Sequence, residues 1–301
     1  MGDYVVRDIV QNEKNRQDVG VMNVPLPNIG GCTEMVLKIS CTNGVTNNLT
    51  NPIRGVLKDI KVVDGNGKNV VAASAYDLYA LATLRRKQAP YISESDVGGA
   101  VQVVHLPISF STTRDNQNIG LNLVKGSEPH IELNLDLAAV NACGDTGFVS
   151  KSLSVTIEGR VTESAGSPGY SAVIGTRRGM GKKTSIANPD RLNLGAGNDL
   201  LGIYLYAFKS GIDDSSLIRR VRLIVNGTEK AIIDQAFVDL QRSKPLLNGN
   251  VVTSYAQVMV SPYRYGEGPA KVLSIGKAEL LLEELVADGD VRVLVESLDP
   301  A

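Results

Sequence analysis

The chain has no tryptophan, only four phenylalanines and only two histidines in 301 residues. So few large rings leave a carbohydrate-stacking platform or a base-stacking nucleic-acid face poorly supplied. His105 and His130 are too few for most histidine-based metal sites, and both fall in strand-like stretches, so both read as structural. Cys32, Cys41 and Cys143 are odd in number and show no C-x-x-C spacing, which supports neither a disulfide framework nor a zinc site. Buried, reduced thiols are expected instead. No apolar run approaches the roughly 20 residues of a spanning helix. The opening MGDYVVRDIVQNEK lacks the apolar centre of a secretory signal, so the chain is expected to be made and kept in the cytoplasm. A field of one sign is also missing. With 31 Lys and Arg against 32 Asp and Glu, the net charge of −1 does not gather polyanions, and specific nucleic-acid binding is not expected.

What is present is ordinary globular material, 43% hydrophobic and 21% charged, in a length that suits two domains of roughly 150 residues. Alternation of apolar and polar residues at period two dominates, broken by Gly, Asn, Asp and Pro clusters, which predicts half-buried strands joined by turns. Met35 to Ile39, Ile131 to Leu137 and Leu153 to Glu158 are examples. Helical spacing appears only over Ala75 to Arg86, with Leu78, Leu81 and Leu84 on one side, and around Phe237 to Gln241.

An internal repeat decides the architecture. Leu37 matches Ile203 at an offset of 166, and Ile60 matches Val221 at an offset of 161. That second match runs through Asp64-Gly65 opposite Asn226-Gly227 to Val70-Val71 opposite Ile232-Ile233, and on to Asp77-Leu78 opposite Asp239-Leu240. It spells strand, tight turn, strand and helix twice, with turn residues that tolerate positive φ. Leu133 then matches Leu280 at an offset of 147, and Val155 matches Val293 at 138. Falling offsets describe a duplicated domain whose first copy carries longer loops, expected at Lys87 to Val101 and Ser111 to Pro129. The predicted fold is all-β, with a first domain over 21–164 and a second over 199–301. A glycine-rich basic linker is expected over 165–198, holding Arg177, Arg178, Lys182 and Lys183. Residues 1–20 read as a polar arm whose apolar patch, Tyr4, Val5, Val6 and Ile9, would make a short helix only against a partner.

Two tandem copies of about eight strands, each with a hairpin followed by a helix, bury their apolar faces best as two eight-stranded jelly-roll barrels. This layout resembles the double jelly-roll major capsid proteins of tailless icosahedral viruses, especially bacteriophages of the corticovirus and Finnlakevirus type in the wider tectivirus–adenovirus lineage. The residues that carry the likeness are the hairpin–helix units Ile60 to Arg86 and Val221 to Arg242, the strand Leu106 to Phe110, and the closing strands Val155 to Thr162 and Val291 to Glu296. The resemblance implies a homotrimer with six barrels in a pseudo-hexagon, upright in an icosahedral virion shell, with no cofactor and no enzymatic activity. It also implies an N-terminal arm facing inward, possible contact with an internal membrane, and minor or vertex capsid proteins as partners. The candidate assembly contacts are therefore Tyr4, Val5, Val6, Ile9, Arg177, Arg178, Lys182 and Lys183.

Local motifs do not compete with this reading. Gly175 to Thr184 is one residue too long for a phosphate-binding loop and has Lys183 where the hydroxyl residue belongs. Asp64 to Lys68 opens like a calcium loop but puts Lys68 at the third ligand position. Asn48-Leu49-Thr50 and Asn226-Gly227-Thr228 fit the glycosylation sequon, but neither is expected to carry sugar. Glu132, Asp136, Glu158, Glu279, Glu283 and Glu296 alternate with apolar residues, which places them on outward faces as solvated charges. Tyr204, Tyr206, Tyr255, Tyr263 and Tyr265 are expected at subunit interfaces. Two rival readings remain: a two-domain β-sandwich adhesion module, and a double jelly-roll enzyme acting on glycans, which would need converging carboxylates.

Overall fold

The structure is a computed structural model that describes residues 4–48, 52–86, 88–111, 119–124, 126, 128–138, 147–162, 168, 170–178, 190–195, 199–209, 212–213, 218–225, 227–233, 255–260, 278–284 and 289–300. Two compact units emerge. The first holds Met1–Ala82, Ala89–Val173 and Pro300–Ala301, and the second holds Thr83–Gln88 and Ile174–Asp299.

In the first unit, β1 (Tyr4–Lys14), β10 (Ser154–Thr162), β3 (Gly31–Thr42) and β7 (Val101–Ser109) lie side by side in that order. The second sheet runs β5 (Asn69–Ala73), β4 (Leu57–Val63), β9 (His130–Asp136) and β2 (Val19–Pro25). Two four-stranded sheets with this order are a jelly roll. Its core is the inward half of each alternation: Met35, Leu37 and Ile39 from β3, Ile157 from β10, Ile60 from β4 and Leu133 from β9 are all fully buried. Each such side chain contributes roughly 1.5–3 kcal/mol, so apolar burial holds the barrel together. Short additions, α1 (Ile53–Val56), β6 (Ile92–Ser93) and β8 (Leu121–Asn122), decorate the loops. The last two fall in the two stretches where extra length was expected.

The second unit repeats the plan. One sheet places β11 (Tyr170–Arg178) beside β19 (Gly289–Pro300), then β13 (Asp199–Lys209), which also pairs with β17 (Tyr255–Val260) and the short β14 (Ile212–Asp213). The other runs β12 (Asp190–Gly195), β18 (Ala278–Glu284), β15 (Ile218–Val225) and β16 (Thr228–Ile233). Strand for strand, β1, β10, β3 and β7 correspond to β11, β19, β13 and β17, while β2, β9, β4 and β5 correspond to β12, β18, β15 and β16.

Two expectations are corrected by this match. Residues 4–14 are the barrel's first strand, paired with β10 from Tyr4↔Thr162 to Lys14↔Ser154, and not an arm or a helix. The stretch 165–198 contains β11 and β12, the second copy's counterparts of β1 and β2, where a plain connector was expected. The repeat therefore begins about one hairpin earlier in each copy than alternation suggests. The expected helix at Phe237 to Gln241 lies outside the described residues, as does Cys143.

Ladder register tests the repeat residue by residue. Leu37↔Ile157 in the first unit becomes Ile203↔Val295 in the second, as the offsets of 166 and 138 require. Ile60↔Leu133, however, corresponds to Val221↔Leu282, so the true partner of Leu133 is two residues beyond Leu280. Likewise Ile60↔Ala73 corresponds to Val221↔Ile233, which matches Ile233 with Ala73 instead of Val71. A slip of two keeps every side chain on its face, so a period-two pattern cannot reveal it.

The predicted helix is present as α2 (Ala75–Arg86). Ser74 and Asp77 cap it reciprocally: the Asp77 amide donates to Ser74 Oγ at 3.2 Å and the Ser74 amide donates to Asp77 Oδ2 at 3.3 Å. Leu78, Leu81 and Leu84 are buried. Arg85 and Arg86 sit in the last turn, where the helix dipole favours cations.

The Asp64–Lys68 turn is organised by Asp64. Its Oδ1 accepts hydrogen bonds from the amides of Asn66 at 2.9 Å and Lys68 at 2.8 Å. The left-handed residue is Gly67, at φ +79°, and not Gly65. Gly65 is needed for a different reason, since a Cβ there would lie 2.1 Å from the Val124 carbonyl oxygen. Gly65→Ala is therefore expected to cost about 2–3 kcal/mol through overpacking against backbone. Gly99→Ala, strained only by its positive φ with open space around it, should cost about 1–2 kcal/mol. Denaturant midpoints of the two variants check the order.

Candidate assembly surfaces

Along β1, the proposed contact residues Val5, Val6 and Ile9 do not share one face. Val5 and Val6 are exposed, but they point to opposite faces of β1. Ile9 turns inward: a Cβ on Gly159 would meet its Cδ1 at 3.0 Å and the Cys32 sulfur at 3.5 Å. It anchors β1 to its own barrel. Tyr4 opens β1 opposite Thr162. Arg177 and Arg178 close β11, while Lys182 and Lys183 lie outside the described residues, as do Tyr263 and Tyr265.

At one end of the first barrel, loops interlock around buried amides. Asn43 Nδ2 donates to the carbonyls of Ser95 at 2.7 Å and Val97 at 2.9 Å. Its Oδ1 accepts from Gln102 Nε2 at 2.9 Å and Asn48 Nδ2 at 3.2 Å, and Gln102 Oε1 accepts the Ile53 amide at 2.8 Å. Asn48 is thus 4% exposed, with no room for a glycan on its amide. Asp18 fastens a neighbouring loop, accepting from Ser150 Oγ and the Lys151 amide, both at 2.7 Å. The Ser150 bond holds its pKa below the usual carboxylate range against the opposing effect of burial, helped by Lys151 and Asn15.

Acidic side chains divide in an unexpected way. Glu132 and Glu158 are half-exposed and pair with Lys61 and Lys38 across their sheets. The hydrogen bond from Lys61 lowers the Glu132 pKa, the reverse of what a general acid needs. Glu132 lines an open hollow of about 610 Å³ with Glu128, His130 and Pro129, where a glycan-cleaving site would have been sought. Among the described residues no three His, Cys, Asp or Glu side chains gather as metal ligands do.

Glu296 overturns its expected place in solvent. It is fully buried, paired with Arg85 from the last turn of α2, which belongs to the second unit. Burial alone would lower the Arg85 pKa, but the charge of Glu296 first and then Tyr204 raise it on balance. Tyr204, expected at a subunit interface, is 1% exposed in the single chain. Its ring fits because residue 202 is glycine; a Cβ there would stand 2.8 Å from ring carbon and hydroxyl alike. Sequence reasoning missed this cluster. The one available signal was a glutamate at the same repeat position in both copies, Glu158 and Glu296.

Both described cysteines are free and buried, as expected. Burial pushes the Cys32 thiol up to about 12 and the Cys41 thiol up to about 11. His105 packs its ring 5.1 Å from that of Tyr91. Burial first, and then the nearby Lys38 charge, lower its pKa.

No family model and no curated protein sequence matches the chain. Solved structures do. The major capsid protein of Sulfolobus turreted icosahedral virus superimposes with a TM-score of 0.68 at 12% identity, covering 98% of this chain and 97% of that one. The PBCV-1 virus capsid protein gives 0.65 at 12% identity over 99% and 94%. The major capsid protein P2 of bacteriophage PM2 gives 0.63 at 14% identity over 99% and 98%. At such identities the likeness is one of fold, and it spans both units and nearly the whole of each relative. The chain has the double jelly-roll fold of viral major capsid proteins.

Proposed function

We propose that the chain is a structural major capsid protein that trimerises into pseudo-hexameric capsomers and builds an icosahedral shell. The observation that carries this reading is the strand-for-strand repetition of one eight-stranded barrel within a chain matched end to end by capsid proteins of three viruses. Two like barrels in one subunit give a trimer six similar walls, and closed symmetric packing of this kind covers sheet edges. Minor or vertex proteins that complete the shell belong to the same reading. An inward N-terminal arm touching an internal membrane does not, because Tyr4–Lys14 is a strand of the first barrel.

Light scattering on the purified chain, followed by electron microscopy of the concentrated protein, tests the proposal. The expected result is a species of three times 32.1 kDa that associates into hexagonal sheets or shells. A chain that stays monomeric at every concentration, or a closed trimer that never associates further, overturns it. The closed trimer would favour an adhesion module.

A further inference from the structure

Because the two barrels keep the same register in their β3–β10 and β13–β19 ladders, one sheet face can be compared position by position. Val36, Lys38, Thr156 and Glu158 correspond to Gly202, Tyr204, Leu294 and Glu296. All point away from the barrel core. In the first unit β10 alternates buried and half-buried residues, as a sheet with one open face should. In the second, every residue of β19 from Val293 to Leu298 is buried, and so is every residue of β13 from Leu201 to Leu205. The second unit's face is covered and largely apolar. The first unit's face is open and largely polar.

We infer that this open face of the first unit, centred on Lys38 and Glu158, is where a second copy of the chain docks. The inference rests on the capsid reading above and names the surface that reading needs. A face covered by the chain's own segments never meets water, so it can carry Leu294 and Tyr204. A face covered only on association must first keep the free subunit soluble, so it needs charges with scattered apolar anchors, the composition of a non-obligate interface. The first unit's face has that composition. Lys38 and Glu158 are a half-exposed ion pair. Val6, opposite Arg160, is 66% exposed; Tyr91, stacked on His105, is 59% exposed; Val101, opposite Thr42, is 50% exposed.

A second copy is the fitting occupant because the matching face is already covered by this chain's own material. There Arg85 is delivered onto Glu296, and Glu158 offers the same carboxylate at the same register. In the free subunit Lys38 pairs with it, so this carboxylate is not left uncompensated.

Sedimentation equilibrium on the full-length chain tests the surface. Tyr91→Lys/Val101→Lys is expected to weaken self-association at least tenfold while leaving the circular dichroism spectrum and melting temperature unchanged. The swap Lys38→Glu/Glu158→Lys, which keeps the pair within the subunit but inverts its polarity, should weaken association as well. Val21→Lys, 48% exposed on the outer face of the other sheet, should not. If the parent associates and the face variants associate equally well, or Val21→Lys is as damaging as they are, the surface is wrong and the capsid reading survives. If the parent never associates, both fall together.

Discussion

Glu296→Gln is expected to destabilise the second unit by about 3–5 kcal/mol, because it strands the Arg85 guanidinium in a site closed to water. Among the described residues, the other group acting on Arg85 is Tyr204, which offers a hydroxyl and not an anion. Loss of hydrogen-exchange protection along β13 and β19 would report the effect, since both strands line the cluster. Arg85→Met/Glu296→Leu should recover most of the loss, because a buried ion pair replaced whole by apolar groups of similar size is often neutral or stabilising. A Glu296→Gln variant as well protected as the parent would mean that the pair is not closed to solvent. If the double variant were no better than the single one, packing and not charge would be the cause.

Asn43→Leu is the second large effect expected, about 4 kcal/mol in the first unit. Leucine keeps the branched shape, with bulkier methyl groups, but removes two N–H donors and one shared acceptor. The carbonyls of Ser95 and Val97 and the amides of Asn48 and Gln102 then lose partners together. Each buried group left unsatisfied costs roughly 1–3 kcal/mol, offset in part by water reaching the loosened loops. Limited proteolysis should show new cleavage among residues 43–48 and 94–100 while β3 and β7 stay resistant. Asn43→Asp, which keeps the acceptor and loses the donors, should fall between the parent and leucine. An Asn43→Leu protein with the parent's cleavage pattern would show that these loops are held by something other than the amide network.

Much of the fold was legible because apolar alternation reports which face a strand buries, and a repeat reports it twice. Leu37, Ile157, Ile203 and Val295 were matched correctly because β3, β10, β13 and β19 are long and regular where they meet. Leu133 was matched two residues out because alternation is unchanged by an even slip, and only the turn geometry fixes it. The β1 strand escaped because two register shifts interrupt its alternation, and β11 because glycine flanks it. Glu296 was misread for another reason. Its strand pattern does place it outward, but what covers it comes from a helix more than two hundred residues earlier, and period-two reasoning has no access to that.

The irregular course of β1 also bears on how the protein survives at high concentration. This strand lies at the rim of its sheet, where a straight ribbon of eleven residues would invite identical ribbons to stack without end into fibrils. Its ladder shifts between Asp8 and Val10 and again between Val10 and Glu13, and Asn12 takes φ +51°. Those kinks spoil the template. For the shell-building role proposed above, such an edge lets subunits crowd and still join their neighbours only through shaped walls.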